Sequence, residues 1–227
     1  MPLHSLQRLS PTAALGLWQL TESPAALWPA LPAAYRALLP PTADATRQAQ
    51  WLAGRALVHA LLAALPAPPP AGLLVNNDAA GRPWLAGPAR DLRVSLSHSG
   101  AWVAAVLARG GRVGVDVERI RDKAQRLASR YLAPEEQAAA QALIRAAPAA
   151  ADAHYTLLWS AKETLYKLAG QRGILFNQQL LLDPIGLEET GEMPAKLVLH
   201  GRQTRHCICY SRPAPGHVLT YCHEPAA

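Results

Sequence analysis

The segment AWVAAVLARGGRVGVDVERI, residues 101–120, joins two apolar runs through a pair of glycines. Alanine, valine and leucine dominate 101–109, and valine alternates with other residues in RVGVDVE, 112–118. Such runs are typical of β-strands, and a Gly-Gly pair between two of them favours a β-hairpin. We therefore predict two adjacent antiparallel strands with a tight turn at Gly110 and Gly111.

Helical and strand patterns are interspersed on both sides of this segment. Residues 43–65 keep helical spacing, with Thr42 as a candidate N-cap and Pro66 as a stop, and the Pro-rich 66–72 forms a stiff connection. Without regular βαβ alternation, the class is α+β, with two similar halves, 1–112 and 113–227. The remaining predictions are strands at 73–77 and 91–97, helices at 123–131, 134–147 and 150–169, and a strand-rich region at 174–224.

Composition and charge favour an anion-binding globular protein. Hydrophobic residues make up 50% of the 227 residues and charged residues 17%, so the chain can build a sizeable core. The net charge is +6, but no run of Lys or Arg occurs, so we expect no nucleic-acid partner. The N-terminus has no secretory pattern, and the longest apolar run, ALVHALLAALPA (56–67), is too short to cross a bilayer. We expect a cytoplasmic protein with no membrane partner.

Cysteine and histidine residues crowd the C-terminal region and raise the question of a zinc site. Three cysteines predict no disulfide framework, and the C-x-C spacing differs from the C-x2-C of a zinc knuckle. Small buried residues on strands are the favoured interpretation. The residues concerned are Cys207, Cys209, Cys222, His206, His217 and His223.

WSAKETLYKLAG, residues 159–170, is typical of an amphipathic helix closed by Gly170. Trp159, Glu163 and Lys167 are spaced four apart and share a stripe beside the apolar face. This stripe is either an ordinary solubilising ion pair or a carboxylate and an ammonium that face a bound molecule.

GVDVERI, residues 114–120, supplies two further carboxylates. On a strand, Asp116 and Glu118 point to one face while Val115 and Val117 point into the core. Adjacent carboxylates repel each other unless they are solvated or bridged by a cation, and Mg²⁺ prefers such oxygen ligands. The alternative is a solvent-facing strand end.

VSLSHSGAWVAA, residues 94–105, brings hydroxyls and an imidazole to a turn. Ser97 and His98 could donate hydrogen bonds to a phosphate, whereas the flanking sequence lacks the G-x-S-x-G of a serine hydrolase. Arg82 in GRPWL, and Arg47 and Arg55 in RQAQWLAGR, are either surface residues or additional phosphate ligands.

Along the chain, VSLSHSGAWVAA is followed by GVDVERI and then by WSAKETLYKLAG. These three motifs in that order resemble the phosphopantetheinyl transferases, in particular the larger type that activates peptide synthetase, polyketide and fatty-acid carrier proteins. The resemblance covers roughly residues 45–182. It implies two similar halves forming an intramolecular pseudo-dimer, with coenzyme A in the cleft between them. It also implies transfer of the phosphopantetheine arm of coenzyme A to a serine of an apo carrier protein, by a monomeric enzyme.

The resemblance also implies roles for individual residues. Asp116, Glu118 and Glu163 would hold Mg²⁺, and Glu163 or a water on the metal would be the base. Lys167, with Lys162, would neutralise phosphate charge, and Glu136 in RYLAPEE matches a family glutamate and is a further candidate catalytic residue. The 3′-phosphate of coenzyme A would be bound by Ser97, His98, Arg47, Arg55 and Arg82.

Two other functions fit the same residues. Another Mg²⁺-dependent phosphoryl-transfer enzyme, such as a nuclease, could use the three carboxylates and would be indifferent to coenzyme A. A non-catalytic module would bind coenzyme A or a carrier without transfer.

Overall fold

A computed structural model describes residues 3–40, 42–66, 72–87 and 91–226. The chain divides into two units. Residues through Val113, together with those from His223 onward, form the first unit, and Gly114–Cys222 form the second. Each unit has its own hydrophobic core.

The first unit is a four-stranded antiparallel sheet, in the order β1-β2-β6-β5, covered by one long helix. Gly16 on β2 permits close packing, because a Cβ there would lie 2.7 Å from Leu57 Cδ1 of the helix. The elements are β1 (Leu3–Ser10), β2 (Ala13–Gln19), α1 (Pro24–Leu27), α2 (Ala45–Ala64), the hairpin of β3 (Leu74–Asn77) and β4 (Pro83–Ala86), β5 (Leu92–Ser99) and β6 (Trp102–Arg109).

The second unit packs helices against a five-stranded sheet, in the order β7-β11-β10-β9-β8. Strands β8 to β11 pair antiparallel, and the β9–β10 register runs from Leu199 opposite Arg202 to Gly191 opposite Tyr210. The elements are β7 (Arg112–Arg119), α3 (Lys123–Arg126), α4 (Ala128–Tyr131), α5 (Pro134–Ala146), α6 (Ala151–Ala169), α7 (Phe176–Gln179), β8 (Leu180–Leu182), β9 (Gly191–Leu199), β10 (Arg202–Ser211) and β11 (His217–Glu224).

The α+β class is confirmed, but the hairpin predicted at Gly110 and Gly111 is wrong. Strand β6 pairs with β2 and β5, whereas β7 belongs to the other sheet, beside β11. Both glycines have positive φ, and a Cβ on Gly111 would lie 1.8 Å from the carbonyl oxygen of Glu224. The pair therefore permits a close backbone approach where the chain leaves one sheet for the other.

The helix predictions hold with changes at their ends. The N-cap of α2 is Asp44, not Thr42, because the Asp44 carboxylate accepts from the backbone N–H of Arg47 at 2.8 Å. The predicted helix 123–131 is two single turns that meet at Leu127. Most of the predicted stiff connection, residues 67–71, lies outside the described residues. In the described ranges, no helix combines the length and apolarity that a membrane crossing requires.

Candidate functional site

Helix α6 lies against β7 at backbone contact, and this contact sets the site. Gly114 on β7 has no side chain, and a Cβ there would lie 2.2 Å from the carbonyl oxygen of Thr164 on α6. Two residues along β7, Asp116 is buried between Val115 and Val117. The absence of a side chain at Gly114 therefore brings the acidic strand next to the helix that carries Glu163 and Lys167.

A buried cluster of hydroxyls fixes the same helix to β11. Thr220 Oγ1 donates to the carbonyl oxygen of Ser160 at 2.9 Å and lies 2.7 Å from Thr164 Oγ1. The Thr164 hydroxyl also donates to the carbonyl oxygen of Thr220 at 3.1 Å. All three side chains are fully buried, so these bonds hold α6 in a defined register on the sheet.

Lys167 makes its ion pair with β7. Its ammonium donates to Asp116 Oδ1 at 2.8 Å and to the carbonyl oxygen of Val115 at 2.9 Å. Asp116 is only 4% exposed, so this pair is shielded from water on one side. The structure thus joins two motifs that lie 51 residues apart in sequence.

Glu163 lies within the electrostatic reach of both acids on β7. Burial raises the pKa of Glu163 to about 7, the charge of Asp116 raises it next, Lys167 opposes the shift, and Glu118 adds to it. Glu118 Oε1 accepts from Trp159 Nε1 at 3.4 Å. Glu163 is therefore repelled by both acids of β7 and attracted by one lysine, Lys167.

The donor chemistry of these carboxylates fits Mg²⁺, which prefers hard oxygen ligands. Within the described ranges, no group of three or more His, Cys, Asp or Glu side chains is arranged to hold a metal ion. The same finding applies to the described part of the C-terminal cysteine and histidine cluster. There Cys222 is buried as predicted, whereas Cys207 is exposed. Partial desolvation of the Cys207 thiol and its hydrogen bond to Glu192 raise its pKa to about 11.

Lys162 and Glu136 lie in the core of the second unit and bond to each other. Lys162 Nζ donates to Glu136 Oε2 at 2.5 Å, with the lysine fully buried. Neither residue belongs to the pair formed by Asp116 and Lys167.

In the first unit, the turn after β5 meets the first turn of α2. Arg47 Nη1 lies 3.4 Å from His98 Nε2, and the Gln50 side-chain amide donates to the carbonyl oxygen of Gly100 at 2.9 Å. Ser97 is half-buried on β5 opposite Ala104, and His98 is exposed. The structure thus brings together two of the predicted phosphate ligands, Arg47 and His98.

Arg55 is a buried cation without a carboxylate partner among the described residues. It is 4% exposed, its guanidinium lies 3.8 Å from the ring centroid of Trp51, and Nη2 donates to Asn77 Oδ1. Its Nε has no partner in the described part of the chain. Burial lowers the pKa of Arg55 to about 10. A buried guanidinium of this kind is suited to an anion.

Asn77 links Arg55 to the turn that carries Arg82. Its amide donates to the carbonyl oxygen of Gly81 at 2.6 Å, and Asp78 Oδ1 accepts from the backbone N–H of Arg82 at 2.9 Å. The Arg82 side chain is exposed. Sequence reasoning missed Asn77 and Trp51 as the residues that hold Arg55. The position of Asn77 directly before the DAAGRP turn was the available signal.

Comparison with known proteins finds that parts of this chain are similar to one family. A family model described as the 4′-phosphopantetheinyl transferase superfamily matches residues 112–222, just under half of the chain. The 4′-phosphopantetheinyl transferase AcpT of Salmonella typhi is 32% identical over 136 residues, which are 59% of this chain and 65% of that protein.

Two Bacillus proteins are also similar. The 4′-phosphopantetheinyl transferase of Bacillus subtilis is 30% identical over 45% of this chain and 43% of its own length. The 4′-phosphopantetheinyl transferase psf-1 of Bacillus pumilus is 27% identical over 77% of this chain and 66% of its own length. The chain thus spans less than two thirds of the length of the first two relatives.

Proposed function

We propose, from the match of residues 112–222 to the 4′-phosphopantetheinyl transferase superfamily, that this chain is a transferase that acts on carrier proteins. It would move the 4′-phosphopantetheine arm of coenzyme A to a serine hydroxyl of an apo acyl or peptidyl carrier protein. Adenosine 3′,5′-bisphosphate would leave. The observation that carries the proposal is the contact between Asp116 and Lys167, which joins GVDVERI to WSAKETLYK inside the matched region.

The proposal includes Mg²⁺ because the site offers several carboxylate oxygens as ligands. Asp116, Glu118 and Glu163 would hold the ion, since Glu163 is repelled by both other carboxylates and a divalent cation would relieve that repulsion. When bound, Mg²⁺ would neutralise charge on the pyrophosphate oxygens of coenzyme A.

Glu163 is suited to remove the serine proton. A base works best when its pKa lies near the operating pH, and without a metal the pKa of Glu163 is raised by burial to about 7. A Glu163 oxygen would take the proton from the serine hydroxyl as the serine oxygen bonds to the β-phosphorus. The bond from that phosphorus to the bridging oxygen would break, and Lys167 would neutralise charge on the departing phosphate.

The 3′-phosphate of coenzyme A would bind the basic side chains of the first unit. Arg47 and His98 already lie in contact, and Arg55 provides a buried guanidinium without a carboxylate partner among the described residues. Ser97 and Arg82 would add hydrogen bonds. The pseudo-dimeric arrangement, the monomeric state and the cytoplasmic location stay predictions from the sequence.

An acidic carrier would be attracted to this chain by its net charge of +6. The test incubates purified protein with Mg²⁺, coenzyme A and a panel of apo fatty-acid, polyketide and peptide-synthetase carriers. Mass spectrometry should show a carrier heavier by one phosphopantetheine, and Asp116→Asn and Glu163→Gln should abolish the gain. An unmodified panel, together with cleavage of nucleic acid that depends on Glu163, would favour the nuclease alternative instead.

A further inference from the structure

Lys162 lies between Trp159 and Glu163 on α6, but its side chain is buried in the core. It has no solvent-exposed area, whereas Trp159, Glu163 and Lys167 are each half-buried. Residues next to each other on a helix differ by about 100° in direction, which accounts for the contrast between Lys162 and Glu163. The ammonium of Lys162 could therefore reach a ligand only if the core opened.

The three N–H groups of the Lys162 ammonium match three acceptors. One is Glu136 Oε2 at 2.5 Å, the second is the carbonyl oxygen of Phe176 at 3.1 Å, and the third is the carbonyl oxygen of Leu180. An ammonium has three donors and no acceptor, so these bonds use its full capacity. No donor of Lys162 is left for a phosphate.

Glu136 is equally committed within the protein. Its Oε2 also accepts from the backbone N–H of Ala133 at 2.6 Å, which caps α5, and its Oε1 accepts from the backbone N–H of Leu182 at 2.6 Å. The side chain of Glu136 is 8% exposed. Both oxygens are thus bound to groups of the fold itself.

Two aromatic side chains connect the Lys162–Glu136 pair to the carboxylate of Glu118. Lys162 holds the backbone of Phe176, whose ring stacks on Trp159 with centroids 5.9 Å apart. Trp159 in turn donates from Nε1 to Glu118. The start of α5, the middle of α6 and the α7–β8 segment are therefore tied together at this pair. Phe176 and Trp159 connect the pair to Glu118, one of the residues proposed to hold Mg²⁺.

We propose that Lys162 and Glu136 are a positioning pair: they hold Phe176 and Trp159 against Glu118 and fix α6, and they do not contact coenzyme A. The proposal rests on the transferase function and changes the roles that the family resemblance gave these two residues. In this role the two residues keep the site in its exact geometry, because small displacements of reacting groups lower the rate of transfer.

The experiment compares Lys162→Met with the double variant Glu136→Leu/Lys162→Met and with the control Lys196→Met. Lys196 is a partly exposed lysine whose ion pair with Asp183 lies at 3.3 Å, so it controls for loss of one lysine. Readouts are transfer kinetics, coenzyme A affinity by calorimetry, and ¹⁹F NMR of protein labelled with 5-fluorotryptophan. The resonance missing from Trp159→Phe identifies Trp159.

Lys162→Met should shift the Trp159 resonance and lower kcat roughly 10- to 100-fold, with KM and affinity for coenzyme A unchanged. The double variant should recover part of this loss, because no unpaired carboxylate remains buried. Lys196→Met should match the parent protein in all three readouts. If Lys162→Met does not fold, the double variant alone decides, and it should fold and keep the affinity for coenzyme A.

A large fall in coenzyme A affinity, equal in the single and double variants, would overturn the proposal, because it is the mark of a direct ligand contact. An unshifted Trp159 resonance in a folded Lys162→Met protein would overturn it as well. If the parent chain modifies no carrier, the transferase proposal fails. The ¹⁹F spectra still test whether Lys162 and Glu136 position Trp159.

Discussion

Gly114→Ala should separate β7 from α6. The added Cβ would lie 2.2 Å from the carbonyl oxygen of Thr164 and 3.1 Å from the backbone nitrogen of Leu168. Both are backbone atoms of a helix, so no side chain can rotate away. An ordinary contact begins at 3.4 Å, and the two elements must therefore move apart by about 1.2 Å.

A displacement of that size would break the ion pair at the site. The bond from Lys167 Nζ to Asp116 Oδ1, now 2.8 Å, would exceed hydrogen-bond length. Overpacking of this kind costs roughly 1–3 kcal/mol of unfolding free energy. We expect a lower urea midpoint with an unchanged slope, and a loss of transfer rate on the order of 100-fold.

Gly54→Ala on α2 is the matched control. Its Cβ would meet Leu96 Cδ2 at 3.6 Å, which is an ordinary contact, and alanine in a helix is favoured over glycine by roughly 0.5–1 kcal/mol. This variant should be at least as stable as the parent protein. If Gly114→Ala proved equally stable and active, close contact between β7 and α6 would not position the site.

Three further predictions concern single side chains. Glu163→Gln should stabilise the protein more at pH 8 than at pH 5, measured as a shift of the urea midpoint. The unfolded state loses the Glu163 proton above about pH 4.5, whereas the folded state loses it only near pH 7. Glu163 therefore lowers the free energy of unfolding as the pH rises between these values. A pH-independent difference would contradict the assigned burial. Arg55→Met should weaken coenzyme A binding at least tenfold by calorimetry while changing unfolding free energy by less than about 1 kcal/mol, because the cation is buried without a carboxylate among the described residues. A large loss of stability with normal binding would make Arg55 structural. Thr164→Val should cost roughly 1–2 kcal/mol in chemical denaturation, because Thr220 loses a buried partner, and an unchanged midpoint would show that the hydroxyl cluster adds nothing.

The sequence predicted the elements whose local pattern is strong. Residues 43–65 and 150–169 correspond to α2 and α6, and the positive φ of Gly170 ends α6 as its position indicated. Strands β5, β6 and β7 were also found, because apolar alternation marks a strand wherever it lies. The first 40 residues, which hold β1 and β2, gave no comparable signal.

The pairing of strands could not be predicted, because it depends on contacts far apart in the chain. Gly110 and Gly111 form a pair that is typical of a hairpin turn. In the structure they instead make room for the backbone of Glu224, which lies more than a hundred residues later in the chain. The same holds for Lys162. The family resemblance gave Lys162 the role of neutralising phosphate charge, and only the folded chain reveals Glu136, Phe176 and Leu180 around its ammonium.

A crystal structure with coenzyme A and Mn²⁺ in place of Mg²⁺ tests the central claim most directly. The anomalous signal of the metal should lie beside the pyrophosphate, with oxygens of Asp116, Glu118 and Glu163 at roughly 2.0–2.2 Å. A metal held elsewhere, or these carboxylates beyond bonding distance of it, would contradict the account.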